Sequence, residues 1–316
     1  MRFVDFPSIR VTIKLTDGDF NFHTDLIEYH VIDIMHNPRN CNICKAENMT
    51  ILFEYDKPPE GEITVDIGDQ TYRRVVYQCQ SCGHCENSFE HELDLYSEAY
   101  TNAVYGDLDG LLKSFERVRQ LSAAESDNLG RVTYLDRAIK NYSDFNYETN
   151  ILDVGAGMGI FVYEMSRLGY RCTAIDPDAR NVLHISDNIG IRAIHGDYLK
   201  LELDDIFDVV TFNKVLEHVP EPSDLLEMSK YNLKNNGLLY VEVPDAEQAM
   251  KYGTDREEFF IDHFHIFSME SASRLLTDAG FTVQDQTRLH EPSGKFTLRL
   301  VASLNLNGHK IHTKIQ

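Results

Sequence analysis

The sequence predicts an α/β protein: a doubly wound, mostly parallel seven-stranded sheet in the second half of the chain, preceded by a small cysteine-bearing module. Three observations predict it. From Asn150 onward, short apolar runs alternate with segments of helical period, the pattern of successive βαβ units. The first run leads into Asp153-Val154-Gly155-Ala156-Gly157-Met158-Gly159, a glycine turn that opens a helix. Ahead of it stand two Cys-x-x-Cys pairs, Cys41/Cys44 and Cys79/Cys82.

Residues 1–36 alternate apolar and polar positions, and Asp17-Gly18-Asp19 reads as the turn of a hairpin between Arg10–Leu15 and Phe20–Phe22. Leu26–Met35 reads as a further strand. Residues 37–96 hold the paired cysteines, with Pro58-Pro59-Glu60-Gly61 as a turn and Tyr72–Tyr77 as a strand. Residues 97–149 form a helical cap or linker: Leu111, Leu112, Phe115, Val118 and Leu121 share one helix face, and Val132, Leu135 and Ile139 another. The α/β domain spans 150–304. Its strands are expected at Ile151–Val154, Arg171–Ile175, Ile191–Ile194, Phe207–Phe212, Gly237–Val243, Phe281–Thr287 and Phe296–Ser303. The last two lack an intervening helix and should pair antiparallel. Residues 305–316 are a tail.

The 316 residues carry 51 acids and 30 bases, a net charge of −21. Phosphate-backbone binding needs clustered Lys and Arg. Between Cys41 and Asp94 only four bases face eleven acids. Nucleic acid is therefore disfavoured as a partner, and a small molecule is expected. No window approaches 18 apolar residues, so no membrane partner is expected, and Asp5, Arg10 and Lys14 interrupt any signal-peptide core. Five of six cysteines crowd into 45 residues without such a signal, which reads as metal binding in a reducing, cytoplasmic compartment. Cys41, Cys44, Cys79 and Cys82 are the expected ligands of one structural Zn2+ in a zinc-ribbon-like module. His84 and Cys85 remain competitors for a ligand position. Homo-oligomerisation is left open.

The glycine spacing is Gly155-x-Gly157-x-Gly159, shorter than the GxGxxG of dinucleotide sites. It suits a nucleoside with an amino-acid tail, and Asp153 at the strand end would repel a pyrophosphate. Both features weigh against a hydride-transferring dehydrogenase. Asp176 ends the second strand, 17 residues after Gly159, where a carboxylate can take both ribose hydroxyls. Asp197 follows the third strand and can accept from an adenine amine. Ala156, Pro177, Tyr198 and Asn213 flank these positions.

Residues 150–303 resemble the class I S-adenosylmethionine (SAM) dependent methyltransferases. The resemblance rests on Ile151–Gly159 and on Phe207-Asp208-Val209-Val210-Thr211-Phe212-Asn213-Lys214-Val215-Leu216-Glu217-His218-Val219-Pro220-Glu221-Pro222. It implies SAM as cofactor, with Asn213 and its neighbours at the methionine end. Joined to the cysteine module and to Ser126-Asp127-Asn128-x-x-Arg131-Val132, it is similar to bacterial sugar- and glycan-modifying methyltransferases. That similarity implies a sugar, nucleotide-sugar or surface-glycan acceptor, methylated on oxygen or carbon. A protein or RNA methyltransferase that docks through the zinc module is the alternative, and a non-catalytic SAM-binding module a third reading.

A general base is sought in Asp262-His263-Phe264-His265-Ile266-Phe267-Ser268. His263 is the first candidate. His265 shares its face on an extended segment. His218, after the fourth strand, is the third candidate. Tyr96, Tyr100 and Tyr105 are candidates for a lid.

Overall fold

A computed structural model of the chain describes residues 5–6, 9–10, 40–62, 71–89, 108–142 and 148–304. Met1–Ile34 and Met35–Gln316 are separate compact units. In the first, β1 (Asp5–Phe6) pairs antiparallel with β2 (Ile9–Arg10). Arg10 thus pairs backward with Asp5. The expected Phe20–Phe22 and Leu26–Met35 strands lie outside the described residues, as do Tyr96, Tyr100 and Tyr105.

In the second unit a seven-stranded sheet forms from β6 (Asn150–Val154), β7 (Arg171–Asp176), β8 (Arg192–His195), β9 (Phe207–Asn213), β10 (Leu233–Pro244), β12 (Phe281–His290) and β13 (Phe296–Leu304). The order is β12-β13-β10-β9-β6-β7-β8. The β10-β9-β6-β7-β8 neighbours are parallel, and β13 runs antiparallel to both β10 and β12. The mostly parallel doubly wound sheet expected from the sequence is the fold of the chain.

Alternation along the central strands builds two cores. Leu152, Val154, Val210, Phe212, Leu239 and Val241 pack on one face, against α5 (Pro222–Asn232) and α7 (Met269–Asp278). Ile151, Val209, Leu238 and Tyr240 pack on the other, against α2 (Asp127–Tyr142) and α3 (Ile160–Arg167). Strands buried on both faces read as continuous apolar runs, which is why Phe207–Phe212 was legible. Helix α1 (Leu108–Arg119) buries only Leu111 and Phe115, and Leu121 falls beyond its end.

The cysteine segment builds a second sheet from β3 (Met49–Tyr55), β4 (Arg74–Cys79) and β5 (Cys85–Phe89). Its fourth strand is β11 (His265–Ile266), which pairs with β5. Beneath it Val76, Cys85, Phe259, Ile266 and Phe296 share one apolar core with short helix α6 (Ala246–Ala249). The module is therefore clamped by the segment that carries the candidate histidines.

Candidate functional site

The glycine loop sits between β6 and α3. Gly155, Gly157 and Gly159 all have left-handed φ, of 71, 53 and 76°, a region that disfavours any Cβ. At Gly155 a Cβ would stand 2.6 Å from Val215, and at Gly159 2.5 Å from Ile185. Four of the loop amides are engaged within the protein. Gly155 and Ala156 donate to Ile175 O, Gly159 to Ala156 O, and Gly157 to Asp176 Oδ2 at 2.7 Å. What the glycines provide is close approach of bare backbone.

Around the loop the acids take distinct places. Asp153 is buried and accepts at Oδ1 from Thr211 Oγ1 and Asn213 Nδ2, both at 2.6 Å. Asp176 is buried and also accepts from Asp178 N and Asn181 Nδ2. Burial pushes each of the two carboxyls up to about 6, against the donors that favour the anion. Asn213 Oδ1 is buried and meets no donor among the described residues. Asp197 caps a short turn by accepting from Leu199 N and pairs with Lys200. Pro177 O bonds His195 Nε2.

Tyr198 requires a correction. Its ring packs in the core and its hydroxyl donates to Asn232 Oδ1, so its side chain does not face a cofactor. At the start of the short turn Tyr198–Lys200 the apolar core takes the ring, despite its place beside Asp197.

In the short turn Leu216–His218 that follows Asn213 a second cluster begins. Glu217, His218 and His263 each bring a ligand-type atom within 4.8 Å of the others. Glu217 is 0% exposed, and neither of its carboxylate oxygens has a partner among the described residues. His218 Nδ1 bonds Asp262 O and His263 Nδ1 bonds Glu258 O, both at 2.8 Å. A carbonyl only accepts, so each Nδ1 carries hydrogen and each neutral ring keeps its lone pair on Nε2. The two rings pack edge to face, 4.8 Å apart. Burial lowers the pKa of His263, which keeps its ring neutral.

His265 does not join them, which corrects the shared-face expectation. It is buried, its Nε2–H donates to Pro220 O, and its Nδ1 accepts from His84 Nε2 at 3.1 Å. Both nitrogens are used, and burial pushes it down to about 4. The chain turns at Phe264, whose carbonyl accepts from Asn87 N, so His263 and His265 face different elements.

Cys41, Cys44, Cys79 and Cys82 converge, with Cys41–Cys82 sulfurs 3.7 Å and Cys44–Cys79 sulfurs 3.4 Å apart. Zn–S bonds of about 2.3 Å in a tetrahedron place sulfurs about 3.8 Å apart, so the four thiols fit that ion. Each pair forms a knuckle, Lys45 N donating to Cys41 O and Gly83 N to Cys79 O. Cys85 turns into the neighbouring core and His84 toward His265, so neither competes for a ligand position.

Sequence reasoning missed a buried ionic network. Glu242 on β10 binds Arg131 Nε at 2.8 Å, Arg299 Nε at 3.0 Å and the Tyr240 hydroxyl at 2.8 Å. Burial would raise Glu242, but Arg131 above all, with Lys214 and Arg299, holds it well below the carboxylate range. The Arg131 of the quoted Ser126–Val132 segment was a visible signal; its partner was not.

The sequence profile described as "Methyltransferase domain" matches residues 127–286, about half of the chain. The ubiquinone biosynthesis O-methyltransferase of Caulobacter vibrioides is 35% identical over 98 residues, 29% of this chain and 39% of that protein. The mitochondrial ubiquinone biosynthesis O-methyltransferase of Schizosaccharomyces pombe is 37% identical over 120 residues, 35% of this chain and 43% of that protein. The matches thus span about two fifths of these curated relatives. Among solved structures, the 1,6-didemethyltoxoflavin-N1-methyltransferase of Burkholderia thailandensis aligns at 19% identity and a TM-score of 0.46, over 75% of this chain and 96% of that one. With a glycine loop, strand-end acids and a family match over the same residues, the chain belongs to the methyltransferase domain family.

Proposed function

We propose that the chain transfers a methyl group from SAM to a small-molecule acceptor: a sugar, a nucleotide sugar or a surface-glycan intermediate, on oxygen or carbon. The observation that carries the cofactor reading is the join of Asp176 to Gly157. A buried carboxylate is fixed against the glycine loop, with Asp153 and the donorless Asn213 Oδ1 beside it. Asp176 would receive the ribose hydroxyls, Asp197 the adenine amine, and Asn213 with Asp153 the amino-acid end. The cofactor supplies a methyl already activated on a sulfonium. What remains for the protein is to align the acceptor and take its proton.

His263 is the proposed base. Its Nδ1–H is held by Glu258 O, its Nε2 carries a lone pair, and its ring is kept neutral by burial. His218 lies beside it in the same tautomer, and a Glu217 carboxyl oxygen lies within 4.8 Å of a ring nitrogen of each. The sugar reading rests on the resemblance of the combined cysteine module and methyltransferase domain. An oxygen acceptor is favoured by the relatives, which are ubiquinone biosynthesis O-methyltransferases. In the cysteine module we place one structural Zn2+ on Cys41, Cys44, Cys79 and Cys82.

The test is a screen of the purified chain with methyl-labelled SAM against nucleotide sugars, glycan precursors and phenolic acceptors. Label should enter an acceptor, and His263→Ala should lower turnover at least about tenfold with S-adenosylhomocysteine affinity retained. A His263→Ala enzyme with full turnover would remove the base assignment. A chain that binds no S-adenosylhomocysteine would remove the whole reading.

A further inference from the structure

Lys214 is a residue that neither the cofactor cleft nor the histidine pair employs. It follows Asn213 at the end of β9. Among the described residues only Lys45 and Lys214 are non-glycines with left-handed φ, of 61 and 57°. For Lys45 the reason is local: the cysteine knuckle demands the turn. Lys214 stands at the bend by which the chain leaves β9 for the short turn Leu216–His218. Its amide is bound to Glu242 O at 3.0 Å, so β10 holds the strained backbone in place. Strain of this kind persists where surroundings over-determine it, and it clusters at functional sites.

The side chain that this strain aims is half-buried. Its Nζ donates to Thr297 Oγ1 at 3.0 Å, the one hydrogen bond found for it among the described residues. An ammonium has three donors. No carboxylate of the described residues lies within salt-bridge distance, because Glu242 is committed to Arg131 and Arg299. Burial lowers the pKa of Lys214. Glu242 and Glu217 oppose that fall, and Lys295 and Arg131 add to it as like charges. A desolvated cation with no anion in direct contact is costly, and it is a cost that a bound anion lowers.

Strand order says which ligand. The acids assigned to adenosine stand at β7 and after β8, on one side of β6. Lys214 reaches the opposite way, from β9 across β10 to Thr297 on β13. Glu217 stands near enough to act on the Lys214 charge, and His218 and His263 cluster with Glu217. The ammonium therefore belongs to the acceptor half of the cleft. In a chain of net charge −21, an anionic substrate needs a local cation to enter at all.

We propose that Lys214 is the anion-binding residue of the acceptor site, its ammonium receiving a phosphate or carboxylate oxygen of the methyl acceptor. This deepens the methyltransferase reading and rests on it. Lys214 then selects acceptors that carry such a group, a nucleotide sugar among them.

The experiment uses the full chain saturated with S-adenosylhomocysteine, titrated by calorimetry with inorganic phosphate and with acetate. Both should bind the wild type. Lys214→Gln should weaken them at least about tenfold, the loss of one charge-assisted hydrogen bond in a partly desolvated site. Lys214→Arg, which keeps the charge, should stay within about threefold. The same variants are titrated with S-adenosylhomocysteine and with 5′-methylthioadenosine, which lacks the amino-acid carboxylate. Unchanged affinity for both supports the acceptor assignment. If Lys214→Gln weakens the first and spares the second, the lysine holds the cofactor's own carboxylate and the proposal is overturned. It is also overturned if phosphate and acetate ignore the wild type or bind Lys214→Gln as well. If the wild type binds neither nucleoside, the failure is that of the cofactor reading beneath it.

Discussion

The side-chain amide of Asn87 donates to the main-chain carbonyl of His263 at 2.7 Å. The same nitrogen reaches Phe260 O at 3.0 Å. Asn87 belongs to β5 of the cysteine sheet, and its Oδ1 is held by Arg74 Nη1 at 2.8 Å. The segment that carries the candidate base is thus fixed from the cysteine module. Asn87→Ala would leave the His263 carbonyl unpaired in a partly buried place, a cost of about 1–3 kcal/mol. We expect a lower melting temperature and a kcat reduced several-fold, with S-adenosylhomocysteine affinity unchanged. Kinetics and calorimetry on one preparation check it; an unaltered kcat would disconnect the module from the chemistry.

Arg74 is the deeper anchor. It is 0% exposed, lies 3.9 Å over the Tyr55 ring and pairs with Glu62 at 2.8 Å. Glu62 Oε2 in turn receives Ile261 N at 2.8 Å. Burial raises Glu62 and Arg74 opposes that rise. Removing only the cation strands a buried carboxylate, which costs about 3–5 kcal/mol. Arg74→Met should therefore shift the urea midpoint strongly, and adding Glu62→Met should recover part of the loss. A double variant less stable than the single one contradicts this account.

At Gly155 and Gly159 a methyl group meets both a left-handed backbone and a close neighbour. Gly159→Ala would press on Ile185 and Ile189, which belong to the core beneath α3. Gly155→Ala would press on Val215, beside Lys214. Either change should abolish measurable S-adenosylhomocysteine binding. Gly190→Ala, with φ of 80° but nothing within 4 Å, should cost only the backbone term, about 1 kcal/mol or so, and keep binding. Equal behaviour of the three would make conformation alone the cause.

The sheet was legible because its central strands are uniformly apolar and its helices periodic, two signals that act locally. The glycine loop was legible because three left-handed residues in five admit few side chains. What stayed hidden depends on residues far apart in sequence. Nothing near His265 announces that His84, 181 positions away, will take its Nδ1. Nothing near Arg131 names Glu242. Tyr198 was misassigned because its neighbour Asp197 had a plausible role while the packing of its own ring on the core was not encoded nearby. Lys214 was read as part of a motif, and its left-handed backbone is visible only in three dimensions.

Asp176 makes cofactor affinity depend on pH. Its folded carboxyl titrates at about 6, above the roughly 3.9 of an unfolded chain. The empty fold therefore holds the proton more tightly, and its stability falls as pH rises between about 4 and 6. Ribose hydroxyls donate to the ionised form. Binding of S-adenosylhomocysteine should accordingly tighten by roughly tenfold from pH 5 to pH 7. Asp153, also raised to about 6, adds to the same window. In Asp176→Asn the affinity should be low and its pH dependence reduced. A wild-type affinity flat across that window would mean that neither carboxylate receives the cofactor.

The four thiols give the last prediction. The Cys41 and Cys82 sulfurs lie 3.7 Å apart and those of Cys44 and Cys79 3.4 Å, in thiol contact. A metal would replace that arrangement with four thiolate bonds, and the binding energy would enter as folding energy. The geometry couples this to the histidine cleft, because Ser268 Oγ donates to Cys82 O and caps α7 by accepting from Ser271 N. We expect one zinc per chain by elemental analysis, retained in Cys85→Ser and lost in Cys79→Ser. Chelation should lower the melting temperature and reduce kcat while leaving S-adenosylhomocysteine affinity within a few-fold, since the knuckles bond to the histidine segment through Ser268 and the acids assigned to adenosine stand on β7 and after β8. Zinc retained after Cys79→Ser would exclude that residue as a ligand. Zinc lost with no change in melting would mean that the knuckles and cleft are held by the hydrogen bonds and apolar core alone.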